Sequence, residues 1–198
     1  MSNLTFPQEL FLRTLTGKEV GRHLLSEFNK LVFISAKNML CTSLASAAQA
    51  SFMAETGGRC IHLLAEEDNM QTMVKSAQAE HPDAVVLIFG GEAPLAQSKR
   101  LFVETVNALA DADMQTEIVV HVRMFAEGGI ELAAENQEVL DYLMDRDVLV
   151  YSFDIAEGLM HWNLLHWSEQ FAPELVPIAE FPLTHEHTRL LSLSLRGK

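Results

Sequence analysis

The chain has 198 residues, 48% hydrophobic and 21% charged, which predicts a folded domain with a substantial core and excludes a disordered chain. Its formal net charge of −13 repels phosphate backbones and anionic lipid, so nucleic acid is not expected as a partner, whereas a basic protein is. The start MSNLTFPQELF lacks the pattern of a signal peptide, and no apolar run reaches the roughly 20 residues that span a bilayer. We therefore expect a cytoplasmic protein without membrane insertion.

Helical patterns come first along the chain. Residues 1–29 contain two short amphipathic stretches, PQELFLRTL and KEVGRHLLSEF, which predict an N-terminal helical segment. From residue 30 onward, short apolar runs typical of buried strands alternate with helical stretches. The predicted strands are LVFISA, CIHLLAE, DAVVLIFGG, TEIVVHVRMF and DVLVYSF. The predicted helices are residues 39–55, 69–80, 94–110, 130–144 and 155–171.

This alternation determines the expected fold class. Strands that alternate with helices imply right-handed crossovers and a mainly parallel sheet covered on both faces. The pattern predicts a doubly wound α/β fold with about five strands, in a single domain of residues 1–198. After Pro173, the runs LVPIAEFPL and TRLLSLSLRG flank the polar turn THEH, which predicts a C-terminal antiparallel β-hairpin.

Charged and polar residues follow the predicted strands. In an open parallel sheet, ligands bind beyond the carboxyl ends of the strands, so these residues are expected at one edge. They are Lys37 and Asn38, then Glu66, Glu67 and Asp68, then Gly90, Gly91 and Glu92, then Arg123 and Asp154.

The order strand, turn, Ala-rich helix, Gly-Gly, strand and Glu-Glu-Asp resembles the core of the P-loop NTPases, most closely the RecA/KaiC-like group. The resemblance covers about residues 31–197 and implies a RecA-like three-layer sandwich, in which the terminal hairpin closes the sheet. It implies that Glu66 or Glu67 stands where the family's catalytic glutamate activates water. Ser43 would match the Ser/Thr that binds magnesium.

The turn AKNMLCTS departs from the family's phosphate-binding sequence GxxxxGKS. Ala36 and Cys41 stand at the glycine positions and Thr42 at the lysine, although close backbone wrapping of phosphates needs glycine and the lysine supplies charge. The third strand ends without the aspartate that helps to hold magnesium. A pseudo-ATPase without catalytic residues or a bound cofactor is therefore expected.

Two functions follow from this resemblance. The leading hypothesis is a non-catalytic interaction or regulatory module, an accessory subunit that docks onto an intact ATPase, a basic protein or a second copy of itself. The alternative is an enzyme or sensor that still binds a nucleotide or phosphate ligand, such as ATP with magnesium. It would use Lys37, Ser43 and Arg123 for binding and Glu66 or Glu67 for catalysis.

Three further groups allow alternative interpretations. Trp162 and Trp167, on the predicted last helix, are expected to form an interaction surface, since tryptophan is enriched in binding hot spots. His185, Glu186 and His187 could contribute to a metal site, but the position between two predicted strands favours a polar turn and no metal. Cys41, near a helix N-terminus, could be a reactive thiol, but a small buried residue is favoured.

Overall fold

The fold comes from a computed structural model that describes residues 4–195, the last of these by its backbone only. The helices are α1 (Phe6–Glu19), α2 (Met39–Thr56), α3 (Met70–Ala79), α4 (Leu95–Asp111), α5 (Val122–Ala126), α6 (Gly129–Ala133), α7 (Gln137–Met144) and α8 (His185–Leu195). The strands are β1 (Lys30–Ala36), β2 (Arg59–Ala65), β3 (Ala84–Ile88), β4 (Glu117–His121), β5 (Val148–Asp154), β6 (Leu159–Trp167) and β7 (Pro173–Pro182). A π-helical turn, Val20–Leu24, extends α1 within the predicted N-terminal helical segment, whose residues 1–3 lie outside the described part.

The seven strands within residues 4–195 form one sheet in the order β2-β1-β3-β4-β5-β6-β7. The strands from β2 to β5 are parallel, and β6 and β7 add an antiparallel end. The predicted mainly parallel α/β sheet is thereby confirmed. The order 2-1-3-4-5 is a doubly wound arrangement whose chain direction across the sheet reverses between β1 and β3, the place where such sheets bind ligands.

The prediction of a helix over residues 155–171 is wrong, because β6 occupies this stretch. Buried and accessible side chains alternate along the first part of β6, as a strand requires, and Met160 and Trp162 point into the core. A register shift between Trp162 and Asn163 breaks the alternation and gives the sequence its helix-like spacing. The buried Asn163 side chain donates to the carbonyl of Val150 at 2.8 Å, which ties β6 to β5.

The prediction that a second strand completes the terminal hairpin is also wrong. The stretch forms α8 up to residue 195, and its last two residues, 196 and 197, lie outside the described residues. The Thr184 hydroxyl accepts a hydrogen bond from the backbone N–H of His187, so the predicted turn is instead the start of a helix. LVPIAEFPL does form a strand, β7, but its antiparallel partner is β6.

Close packing of α1 on α2 sets the position of the N-terminal helix over the sheet edge. A Cβ atom on Gly17 would lie 2.2 Å from the carbonyl oxygen of Leu44, and one on Gly21 would lie 2.1 Å from that of Ala48. Only glycine permits this approach. The far side of α1 packs on α8, where Leu12 lies against Leu190 and Leu191. None of the helices within residues 4–195 is both long and apolar enough to cross a bilayer.

Candidate ligand-binding site

The N-terminus of α2 is occupied by the protein's own side chains. Glu92 Oε1 accepts from the backbone nitrogens of Met39 at 3.0 Å and Leu40 at 3.3 Å. Asn38 Oδ1 accepts from the backbone nitrogen of Cys41, and its amide nitrogen donates to the carbonyl of Gly90. A helix N-terminus favours an anion, and here the Glu92 carboxylate takes that place.

The remaining residues of the expected phosphate site interact with other protein groups and do not converge on one ligand position. Lys37 Nζ lies 2.6 Å from Glu66 Oε1, and this partner raises the pKa of Lys37. Thr42 and Ser43 donate their hydroxyls back to carbonyls of the first turn of α2. Glu67 pairs with Arg100 on α4. The structure therefore brings Lys37 and Glu66 together as an ion pair and does not bring them to Ser43.

A pocket of about 250 Å³ opens beyond the carboxyl ends of β4 and β5, on the face covered by α1 and α8. Its polar residues are Arg13, His121, Arg123, Glu127, Ser152 and Ser194. Its apolar residues are Val122, Ala126, Phe153 and Leu191. Apolar walls with a few convergent polar groups are typical of small-molecule sites, and the volume is slightly below the range for drug-sized ligands. We call it the outer pocket.

A much smaller space lies next to the outer pocket and shares Arg13, His121 and Arg123 with it. This inner cavity measures about 10 Å³, which is room for one water-sized atom. Its other lining residues are Leu40, Cys41, Leu44, Ile88, Phe89 and Gly91, from α2 and the end of β3. The two spaces therefore reach from the reversal point between β1 and β3 to the end of β5.

Arg13 is presented by α1 and held by Glu9. Its Nη2 donates to Glu9 Oε2 at 3.3 Å, one turn away on the same helix. Glu9 Oε1 in turn accepts from the hydroxyl of Ser194 on α8 at 3.0 Å. The Arg13 side chain is 19% exposed, so it is largely desolvated at the wall between the two spaces.

Arg123 enters the site from the turn after β4. Its backbone nitrogen donates to His121 Nδ1 at 3.0 Å, so the proton of a neutral His121 ring is on Nε2. The Arg123 Nε atom is buried and has no hydrogen-bond partner among residues 4–195. Gly90, at a φ of +121°, packs against this side chain, where a Cβ would lie 3.1 Å from Arg123 Cδ. The arginine thus has a donor that nothing in the described protein satisfies.

Tyr151 lies beside His121 in the sheet, and the two rings meet edge to face with centroids 5.2 Å apart. The Tyr151 side chain is 0% exposed, and its hydroxyl lacks a hydrogen-bond partner in the described part of the chain. Burial raises the pKa of this hydroxyl, with a smaller opposite effect from Arg13 and a further upward effect from Cys41. Both of these neighbours line the inner cavity.

Cys41 is the small buried residue that the sequence favours. Its residue is 4% exposed, and burial raises the pKa of the thiol to about 11. The thiol therefore stays protonated at neutral pH and is a poor nucleophile. Both cysteines are free.

The other candidate residues lie away from these spaces. Trp162 is 4% exposed and belongs to the core, whereas Trp167 is half-buried, and an interaction role for either stays a prediction. His187 is buried at the start of α8, with Nε2 3.0 Å from the Thr16 hydroxyl. Within residues 4–195, no three His, Cys, Asp or Glu side chains are grouped to hold a metal ion.

Most of the site was not found from the sequence. Arg123 was predicted at the edge, but Arg13, His121, Tyr151 and Phe153 were not. Tyr151 is the one side chain with a polar tip in the apolar run VLVY, and His121 ends an equally apolar strand. A polar group in such a run marks both residues as candidates in the sequence. The position of Arg13 depends on how α1 packs, which no local pattern reveals.

A family model described as "Uncharacterized protein" matches residues 9–190. The chain belongs to this family. No curated protein matches the sequence.

Solved structures with a similar fold are solute-binding proteins of ABC transporters. One from Rhodopseudomonas palustris BisB5, in complex with 3,4-dihydroxybenzoic acid, has a TM-score of 0.55 and 9% identity over 88% of this chain and 66% of that one. Another from R. palustris, in complex with 4-hydroxybenzoate, has a TM-score of 0.53 and 11% identity over 89% and 66%. A third from R. palustris, with benzoate, has a TM-score of 0.48 and 17% identity over 72% and 35%. This chain thus spans 35% to 66% of their lengths.

These comparisons correct the resemblance to P-loop NTPases. The neighbours in fold are solute-binding proteins, so the RecA/KaiC-like assignment and the pseudo-ATPase regulatory module derived from it are wrong. The alternative site for a nucleotide or phosphate, built on Lys37, Ser43 and Glu67, stays a prediction, and the structure pairs Lys37 with Glu66 and Glu67 with Arg100. The order of strands and helices misled the interpretation, because doubly wound α/β folds of several kinds share it.

Proposed function

We propose that this domain binds a small organic anion, a carboxylate with an apolar body, in the outer pocket. The observation that carries the proposal is the convergence of Arg13 and Arg123 on one concave, partly apolar space. The chain has only 14 basic residues against 27 acidic ones, so two arginines in one pocket form a local positive site on an acidic protein. Guanidinium groups bind carboxylates by paired, charge-assisted hydrogen bonds.

The lining also limits the charge of the ligand. The charged side chains of the lining, Arg13, Arg123 and Glu127, sum to a formal charge of +1, with His121 not counted. Glu9 pairs with Arg13 from outside the lining and lowers the local positive charge. A singly charged anion balances this, whereas a dianion leaves excess negative charge close to Glu127. Phe153, Leu191 and Val122 offer an apolar surface to the rest of the ligand. A small aromatic or branched aliphatic monocarboxylate fits both properties.

The fold neighbours are consistent with this class of ligand. Two solute-binding proteins that share the fold are complexes with 3,4-dihydroxybenzoic acid and 4-hydroxybenzoate. At 9% and 11% identity they support the fold, and the ligand class rests on this chain's own arginines.

The test is thermal unfolding with matched ligands. We expect benzoate and 4-hydroxybenzoate at millimolar concentration to raise the Tm, and benzamide, which has the same shape without the charge, to leave it unchanged. A ligand at 100 times its Kd stabilises by about 2.7 kcal/mol, and each kcal/mol moves the Tm by roughly 2–4 °C at this size. Arg123→Gln should abolish the shift.

Arg59→Gln is the matched control, because Arg59 is exposed at the start of β2, at the opposite end of the strands. It removes the same charge from the chain without touching the outer pocket. If no carboxylate shifts the Tm, or if Arg59→Gln and Arg123→Gln reduce the shift equally, the proposed site is wrong.

A further inference from the structure

The two edge strands of the sheet differ in how well they are protected against pairing with another strand. β7, at one edge, carries prolines, which cannot donate hydrogen bonds, and glutamates. They are Pro173, Pro177, Pro182, Glu174 and Glu180. β2, at the other edge, reads RCIHLLA, which contains no proline and has Arg59 as its only Lys, Arg, Asp or Glu. Proline and charge on an edge strand discourage strand addition, so β2 is the edge that accepts another strand.

The backbone groups that β2 leaves open follow from its parallel pairing with β1. The backbone nitrogen of Arg59 donates to the carbonyl of Asn29, just before β1, at 2.9 Å, so Arg59 faces β1. Alternate residues of a strand turn their N–H and C=O groups towards the same neighbour. The groups of Cys60, His62 and Leu64 therefore point away from β1, to the open edge of the sheet.

The side chains near this edge leave it accessible. His62 Nε2 lies 2.8 Å from Ser35 Oγ on β1, so the ring is held over β1 and away from the edge. The amide of Asn69 donates to the carbonyl of Leu64 at 3.1 Å, as expected for a carbonyl that faces away from β1. A backbone carbonyl accepts two hydrogen bonds, so that of Leu64 is still able to pair with a strand.

The charges at the start of β2 are positive in sum. A groove of about 360 Å³ lies there, and its charged lining residues, Lys30, Arg59 and Glu80, sum to a formal charge of +1. Met53 on α2 is 45% exposed at the same groove and offers it an apolar surface. This end of β2 therefore favours an acidic neighbour.

The charges at the other end of β2 are negative in sum. Glu66, Glu67 and Asp68 follow its last residue. Lys37 and Arg100 pair with the two glutamates and offset their charges, which leaves the charge of Asp68. An antiparallel second copy of β2 places this acidic end at the basic groove, and a twofold axis makes the same contact at both ends. The edge is thus complementary to itself.

We infer that β2 pairs with β2 of a second copy of this chain in an antiparallel, twofold symmetric dimer. The axis passes through His62, the middle residue of β2. Cys60 then exchanges backbone hydrogen bonds with Leu64 of the second copy, and Ile61 lies beside Leu63 of the second copy. The two sheets become one continuous sheet. The outer pocket lies at the ends of β4 and β5, so this dimer does not depend on the proposed function.

Sedimentation equilibrium of the full chain from about 1 to 100 μM measures the association. We expect a dimer at about 0.15 M salt, where the Debye length of about 8 Å screens much of the repulsion between two copies. Each copy carries a formal charge of −13. Leu64→Lys puts a charge on the open edge and should raise the Kd of the dimer by about tenfold or more. Val176→Lys, at a 47% exposed position on β7, is the matched control and should keep the native Kd.

A cysteine pair tests the register of the two strands. Leu64→Cys should form a disulfide with Cys60 of the second copy when treated with oxidised glutathione, seen as a dimer on a non-reducing gel. Opposed residues of a hydrogen-bonded antiparallel pair have Cα atoms about 5.5 Å apart, an ordinary disulfide distance. Within one chain, positions 60 and 64 lie about 13 Å apart along the strand, too far for a bond. Ile178→Cys, 53% exposed on β7, is the control and should stay monomeric on the gel.

The outcomes distinguish this surface from every other one. A monomer at all concentrations means that the inference is wrong, and the proposed function stands, because it is tested by ligand-dependent Tm shifts. The inference is also wrong if a dimer forms but Leu64→Lys and Val176→Lys weaken it equally. If Leu64→Lys does not fold, the cysteine variants decide, and cross-linking of Leu64→Cys no faster than that of Ile178→Cys overturns the pairing of β2.

Discussion

Glu92 closes the N-terminus of α2, with its carboxylate oxygen 3.0 Å from the backbone nitrogen of Met39. The loop that carries Glu92 follows β3, so the end of one strand satisfies the helix that follows its neighbour in the sheet. A phosphate at the same helix end would have to displace this carboxylate. The relationship explains in physical terms why a strand, a turn and an Ala-rich helix need not form a nucleotide site.

Glu92→Gln should reduce stability modestly. The substitution removes a charge that interacts favourably with the helix N-terminus, which is worth about 0.5–1 kcal/mol at an exposed position. We expect the Tm to fall by roughly 1–4 °C. Glu135→Gln, at an exposed position between α6 and α7, is the control and should leave the Tm within error. Equal effects of the two changes would mean that Glu92 contributes only to the overall charge.

The strands of the sheet could be predicted where their sequence patterns were distinct. β1 and β3 are continuous apolar runs buried on both faces, and short length with flanking breakers marks them as strands. β6 was missed because its buried residues change phase at the register shift after Trp162, which imitates helical spacing. α8 was missed because LLSLSL alternates like a strand, although Leu190 and Leu191 pack together on α1.

The site was less predictable than the fold, because it is assembled from distant parts of the chain. Arg13 and Arg123 are 110 positions apart, and they meet only because α1 packs across α2. A strand-end position is visible in a sequence, which is why Arg123 was found. A helix that reaches over the sheet edge from the N-terminus is visible only in the folded chain.

Gly17→Ala should be more damaging than an ordinary glycine substitution. The new methyl group would overlap the carbonyl oxygen of Leu44, a backbone atom that cannot move aside cheaply. We expect a loss of about 2–3 kcal/mol and, because α1 carries Arg13, weaker benzoate binding as well. Gly57→Ala is the comparison, since its methyl group would meet open space and only the φ of +69° opposes it, at a cost of about 1–2 kcal/mol. Urea unfolding and titration of both variants measure this. Unchanged benzoate affinity in Gly17→Ala would argue against the role of α1.

Glu127→Gln should broaden the charge preference of the outer pocket. The change raises the pocket's formal charge from +1 to +2, which favours a dianion more than a monoanion. We expect terephthalate to gain affinity several-fold relative to benzoate in calorimetric titrations at low ionic strength, and the gain to shrink in salt. Glu131→Gln, exposed on α6, is the control and should not alter the ratio. If Glu127→Gln leaves the ratio of the terephthalate and benzoate affinities unchanged, the second carboxylate of terephthalate lies far from Glu127.

His187 should make the fold sensitive to acid. Burial lowers its pKa to about 4, an effect that the nearby charge of Glu19 opposes, whereas an unfolded histidine has a pKa of about 6.5. Between these values the unfolded chain takes up a proton that folded His187 does not. The free energy of unfolding therefore has its full value above about pH 6.5 and falls as the pH drops towards 4, by on the order of 3 kcal/mol.

Urea unfolding of the native protein and of His187→Gln from about pH 7 to pH 4.5 measures this contribution. The glutamine can keep the contact with the Thr16 hydroxyl, now 3.0 Å from His187 Nε2, but it cannot titrate. Its pH dependence should be shallower by about one proton in this window, with the carboxylates of the chain contributing equally to both proteins. His166→Gln, at an exposed position near the end of β6, should retain the native slope. Parallel curves for His187→Gln and the native protein would show that buried His187 is not the source of the acid sensitivity.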